Sequence, residues 1–141
     1  MNGDIENFDE VTTKGGDLYK KFSPVRCPYF GGDVYFNASG LEHLKFKRPR
    51  YARSRRDQYM RFKVLFLVPE VLCLSHTVQG VWETKHFERV RIHSRTDIIL
   101  KHVTYYEFIA VIRRVRIKIV IKQIEDGQRF FLEHYPFWGS Q

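Results

Sequence analysis

The stretch "RRVRIKIVIKQIEDGQRFFLEHYPFW", residues 113 to 138, decides the fold. Isoleucine and valine alternate with arginine and lysine along its first half, the period of a strand with one oily and one cationic face. The pair Asp126-Gly127 predicts a two-residue hairpin turn, and "RFFLEHYPF" predicts the returning strand. That turn sets a register. It places Lys122 opposite Phe131, Ile121 opposite Leu132, Val120 opposite Glu133, Ile119 opposite His134 and Lys118 opposite Tyr135. Val115, Ile117, Ile119 and Ile121 then share the face turned to a core. Arg114, Arg116, Lys118, Val120 and Lys122 share the other, with Glu133, Tyr135 and Phe131 beside them. A three-residue loop would exchange Glu133 for His134 on that face.

Working outward, the second half continues in the same period. "TVQGVWET", "FERVRIHS" and "VTYYEFIAVI" read as strands, rich in aromatic and β-branched residues. The first half changes to a helical period. "SRRDQYMRFKVLFLV" reads as the main helix, with Ser54 and Asp57 as a capping box and Tyr59, Phe62 and Phe66 as an apolar stripe. Pro69 stops that helix and opens a short second one, "PEVLCLS". "ASGLEHLKF" is a shorter helix with Ser39 as its cap, "DVYFN" a short strand and "KRPRYARS" a basic loop. Residues 1–32, with "TTKGGD", "CPYFGGD", Pro24 and Pro28, predict a flexible, turn-rich leader that starts acidic. The expected fold is α+β: residues 33–141 form one domain, its N-terminal helices packed on one face of a C-terminal antiparallel sheet of about four strands.

Charge is segregated. The chain of 141 residues carries a formal +8 and a pI near 9.6. Its first ten residues hold Asp4, Glu6, Asp9 and Glu10 and no base, whereas the nine cations from Lys45 to Lys63 meet only Asp57. Such a field favours polyanions. The longest apolar run, Val64 to Val68, is far too short to span a bilayer, and "MNGDIENFDE" lacks a signal-peptide pattern. A cytoplasmic protein with no membrane partner is expected. Cys27 and Cys73 stand alone, without metal-ligand or disulfide spacing.

Cations hold phosphates and aromatic rings stack bases, so the cationic hairpin face suits a nucleic acid. Arg114, Arg116, Lys118, Arg55, Arg56 and Phe131 are its candidate contacts. "VYFNASGLEHLKFKR", the arginine-rich helix ending in "LFLVPEVL", and "YYEFIAVI" followed by "VRIKIVIKQIEDGQRFFLEHYPFW" together resemble the phage- and mobile-element-associated branch of the barnase–EndoU–colicin–RelE nuclease fold. The resemblance covers roughly residues 33–138. It implies helices followed by a four-stranded antiparallel sheet, and a metal-independent, toxin-like RNA endonuclease without a cofactor. His43 matches the histidine of the first helix in such domains, and Lys122 the basic position of the penultimate strand. Glu133 stands where relatives often carry serine, which departs from the pattern. An acidic immunity or antitoxin protein is the implied partner.

The chemistry needs no external nucleophile, because RNA supplies its 2′-hydroxyl. A base must take that proton, cations must stabilise the phosphorane, and an acid must protonate the leaving oxygen. Arg116, Lys118 and Lys122 are the expected clamp, Glu133 or His43 the base, and His134, His43 or Tyr135 the acid. The alternatives are a module of the same fold that binds RNA or DNA without cleaving it, and an interaction domain whose basic face meets an acidic protein.

Overall fold

The computed structural model describes residues 7–137. Four helices and eight strands follow in the order α1 (Phe8–Lys20), β1 (Val25–Cys27), β2 (Gly32–Tyr35), α2 (Ala38–Lys45), β3 (Phe46–Arg48), β4 (Tyr51–Ala52), α3 (Arg55–Val64), α4 (Leu67–Leu74), β5 (Gly80–Ile92), β6 (Arg95–Ile112), β7 (Val115–Ile124) and β8 (Arg129–Pro136). The α+β class is as expected, but the sheet is larger. Its six strands run β1-β2-β8-β7-β6-β5; the last four form an antiparallel meander, and β2 joins β8 in parallel. β3 and β4 make a separate small hairpin in the stretch expected as a basic loop. Among the described residues, no helix is long and apolar enough to cross a membrane.

The helices cover one face of the sheet. Ile117, Ile119 and Ile121 of β7 and Phe131 of β8 are fully buried there, with Leu44 of α2, Phe62 of α3 and Val68, Val71 and Leu72 of α4. At about 25 cal/mol per Å² of apolar surface, these contacts are the main favourable term of the fold.

The helix boundaries differ in detail from expectation. α2 is capped by Asn37, whose Oδ1 accepts from the Gly40 N–H at 3.2 Å, not by Ser39. In α3 the Ser54 Oγ accepts from the Asp57 N–H at 3.1 Å, as the capping box requires. The chain leaves α3 at Leu65, before the proline, and Pro69 sits in the first turn of α4, where its missing N–H removes no helical bond. That earlier break turns Phe66 outward while Tyr59 and Phe62 stay buried.

Much of the expected leader is structured. α1 lies against α3, with Gly15 placed where any Cβ would strike the Phe62 ring. Tyr19 is buried among Phe22, Phe36 and Phe131, and its hydroxyl donates to the Asn37 carbonyl at 2.6 Å. β1 then pairs with β2 across the expected boundary at residue 32. The glycines and prolines that predicted a loose segment here permit close packing and tight connections. Asp4 and Glu6 of the acidic start lie outside the described residues; Glu10 pairs with Lys14 at 2.9 Å.

The β7–β8 hairpin reaches the expected register by another route. Gln123 pairs with Arg129, and the intervening turn puts Glu125 in the left-handed region at φ 52°, so the connection is longer than two residues. Near the turn Lys122 therefore faces Phe130, and Ile121 faces Phe131. Leu132 is then the extra residue of a β-bulge, after which Val120 pairs with Glu133, Ile119 with His134 and Lys118 with Tyr135. Two shifts of one residue cancel. Glu133 and Tyr135 keep the open face, while Phe131 moves to the covered one.

β5 pairs with β6 over its whole length, from Gly80–Glu107 to Ile92–Arg95, but β6 meets β7 only from Val103 onward. The outer part of this hairpin is thus a two-stranded arm. Trp82 stands in line with Tyr105 and Lys122 across the sheet, yet the Lys122 Nζ reaches Glu88 at 3.3 Å. Glu88 lies six steps along the strand from Trp82, about 20 Å if straight. The arm must therefore curl back over the open face, making it concave.

Candidate functional site

The open face carries a row of charged pairs. The Lys118 Nζ lies 3.0 Å from Glu107 and about one ring-width from Tyr135, with 5.5 Å to the ring centroid. Its hydrogen bonds to Tyr135 and Glu107 hold the Lys118 ammonium above its ordinary pKa. Lys122 meets Glu88 from the arm. Beside them Trp82 stacks on Tyr105, ring centroids 5.3 Å apart at 20°, and the Tyr105 hydroxyl meets His86 at 3.2 Å.

At the β8 edge of this face stands Arg53, only 8% exposed although it is a cation. Its Nε donates to the His43 carbonyl at 2.7 Å, its Nη2 to Glu133 at 3.1 Å, and its Nη1 reaches Asp57 at 3.5 Å. Asp57 in turn accepts from the Arg61 Nε at 2.6 Å. A buried guanidinium with this many acceptors is satisfied and fixed in place. It ties α2, α3 and β8 together at one point and aims the Glu133 carboxylate.

His43, on α2, shares this environment. Partial burial pushes its imidazole below the ordinary value; the Glu133 carboxylate opposes that shift, and Arg53, Lys122 and Arg61 add to it. The ring is therefore neutral at pH 7. The fold thus brings His43, Lys122 and Glu133 into one electrostatic cluster, with Tyr135 two residues along β8. Tyr135 lies under Arg61, 5.3 Å from guanidinium carbon to ring centroid, and lines a cleft with Arg56 and Asp57.

Other expected site residues fall elsewhere. His134 is completely buried on the covered face, its Nε2 2.8 Å from the Arg61 carbonyl. Burial holds its pKa down to about 3, helped by the charges of Arg61 and Arg53 and opposed by that hydrogen bond. It has no path to a leaving oxygen and is a core residue. Phe131 is also core, 1% exposed, because the longer turn shifts the register; Phe130, packed on Tyr35, takes its place beside Lys122. Arg114 belongs to the β6–β7 turn, where it and Arg113 both have positive φ, and β7 starts at Val115. Arg116 is exposed on the expected face, over Phe137 at 5.5 Å. Arg55 caps the Phe8 ring at 4.1 Å, and Arg56 sits at the start of α3.

Sequence reading singled out none of Arg53, Asp57, Arg61, Glu88, Trp82 and Tyr105 for the site. Arg53 was one of nine cations in a run that gave no sign which would be buried. Asp57, alone among those cations, was the available signal. Among the described residues, no group of three or more His, Cys, Asp or Glu side chains could hold a metal ion. Comparison with known protein families, curated proteins and solved structures returns no match.

Proposed function

We propose that the protein is a metal-independent endoribonuclease of the phage-associated barnase–EndoU–colicin–RelE type, cleaving by attack of the 2′-hydroxyl on the adjoining phosphate. The observation that carries this reading is the cluster of a neutral His43, the Arg53-held Glu133 and Lys122 at the edge of a concave cationic face. His43 takes the 2′-proton as general base. Arg53 and Lys122 stabilise the charge that grows on the phosphorane, and Glu133 keeps Arg53 in place and balances its charge. Tyr135, beside Lys118, is the acid for the leaving 5′-oxygen. Trp82 and Tyr105 offer a stacking platform beside Lys122.

The test is cleavage of labelled RNA in EDTA. Fragments ending in 2′,3′-cyclic phosphate or 3′-phosphate are expected. His43→Ala slows cleavage by about 100-fold or more, the scale of a general base, and leaves binding in place. Glu133→Gln also slows it. With His43 neutral through the working range, the rate holds to lower pH than an ordinary imidazole would allow and falls once pH drops through the lowered value. Cleavage that stops in EDTA and returns with Mg²⁺ refutes the mechanism.

A second reading, an RNA- or DNA-binding module without catalysis, is favoured by the acidic partner that each inner cation already holds: Glu107 on Lys118, Glu88 on Lys122 and Glu133 on Arg53. Tight RNA binding with no cleavage of any RNA would select it.

A further inference from the structure

His43 is shared between the charged cluster and a cavity on its far side. α2 runs directly into β3, and the chain reverses at Pro49-Arg50, with Arg50 at φ 69°. The small hairpin β3–β4 therefore stands off α2 and encloses a pocket of about 450 Å³, lined by Glu42, His43, Phe46, Arg48, Pro49 and Arg50. Its foot is pinned where the Arg53 N–H donates to the Lys45 carbonyl at 2.8 Å and its Nε to the His43 carbonyl. The same arginine thus fixes the pocket and the Glu133 carboxylate relative to each other.

The lining has a definite chemistry. Phe46, Pro49 and the His43 ring give flat apolar walls. Arg48 is braced on Tyr51, its guanidinium carbon 4.0 Å from the ring centroid, so one cation at the rim is held rather than free-swinging. Arg50 adds a second. Glu42 is the carboxylate of the lining. An apolar slot with a few fixed polar groups is the usual form of a small-molecule site, and this volume suits one nucleotide unit rather than a long chain. Apolar walls take a base by its face, arginines take phosphate, and a carboxylate accepts from an exocyclic amine.

We propose that this pocket is a nucleobase subsite that selects bases bearing an exocyclic amine, read by Glu42, over uracil. It rests on the ribonuclease reading only in placing the bound base next to the scissile phosphate, on the His43 side. Base selection would then be set by a hairpin of a few residues outside the sheet, separately from the cations that hold the backbone.

The test is equilibrium binding of 3′-GMP, 3′-AMP, 3′-CMP, 3′-UMP and inorganic phosphate to the full chain, which needs no turnover. The three amino-bearing nucleotides are expected to bind about fivefold or more tightly than 3′-UMP, and phosphate more weakly than all four. Glu42→Gln, at an exposed position, removes the discrimination without affecting folding. Phe46→Ala weakens all four by about five- to tenfold, with thermal unfolding checked alongside. Equal affinity for all four nucleotides, unchanged by Glu42→Gln, overturns the proposal, as does affinity no better than that of phosphate. Base preference with no RNA cleavage would overturn the ribonuclease reading and leave the subsite standing. Cleavage by a protein indifferent to the base would do the reverse.

Discussion

The two faces of the β7–β8 hairpin are built from the same strands, one residue out of phase, and obey different physics. On the covered face Ile117, Ile119, Ile121, Phe131 and His134 are sealed under the helices, and even an imidazole is forced to remain neutral. On the concave face Lys118, Lys122, Glu133 and Tyr135 stay partly exposed, and every inner cation keeps an ion-pair partner. The arm beyond His102 extends this contrast. Among the described residues it has strands but no helix over its outer side, where Phe87 is 72% exposed and Ile98 and Leu100 are also open. Alternation alone does not make a core; a second layer does.

The contrast can be broken most strongly at Phe131. Phe131→Ala removes a ring packed on Tyr19, Phe36 and His134 and is expected to cost about 3–5 kcal/mol in denaturant unfolding. A cost under about 1 kcal/mol would mean that the turn-side register does not hold and that Phe131 faces outward.

His134 gives the next effect. The unfolded chain protonates this imidazole near pH ~6.5, whereas the folded protein resists to about 3. Its contribution to stability is therefore full above the unfolded value and is lost as pH falls from there toward 3, by up to about 1.4 kcal/mol per pH unit. Unfolding measured across that window should steepen toward acid, and His134→Leu should flatten it. Equal slopes for the two proteins would place the ring in contact with water.

On the concave face the same kind of change should cost little stability and some binding. Lys122→Ala removes a partly buried pair with Glu88, its side chains 26% and 22% exposed, worth about 1 kcal/mol. It should lower the salt slope of RNA binding by about one unit. An unchanged slope would show that RNA does not reach this cation past the arm. The smallest effect is expected at Phe87, where Phe87→Ser should change stability by no more than about 0.5 kcal/mol, since the ring is largely exposed.

The strand period and the α3 capping box were legible because each depends on neighbours a few residues away; the pairing of Lys118 with Tyr135 matches the expected register only because the bulge offsets the longer turn. The inward isoleucines of β7 and the outward lysines follow from a repeat of two that no tertiary context altered. His43, Lys122 and Glu133 were named from the sequence alone; in the folded chain the charges of Glu133 and Lys122 both act on the His43 ring.

Long-range decisions were not legible. The amino-acid sequence determined the α+β class, the amphipathic hairpin, the cationic body and the candidate chemistry, through local propensity and alternation. Tertiary structure decided that α1 joins the core through Gly15, because only the Phe62 ring opposite explains the missing side chain. It decided that a longer turn sends Phe131 inward and that a bulge at Leu132 then keeps Glu133 outward, since a slip of one residue costs little locally and is settled by what each face buries. It also decided that Arg53 and Arg61, among nine similar cations, are the two held in the protein: burying the Arg53 guanidinium requires acceptors from α2, α3 and β8 at once, and those meet only in the folded chain.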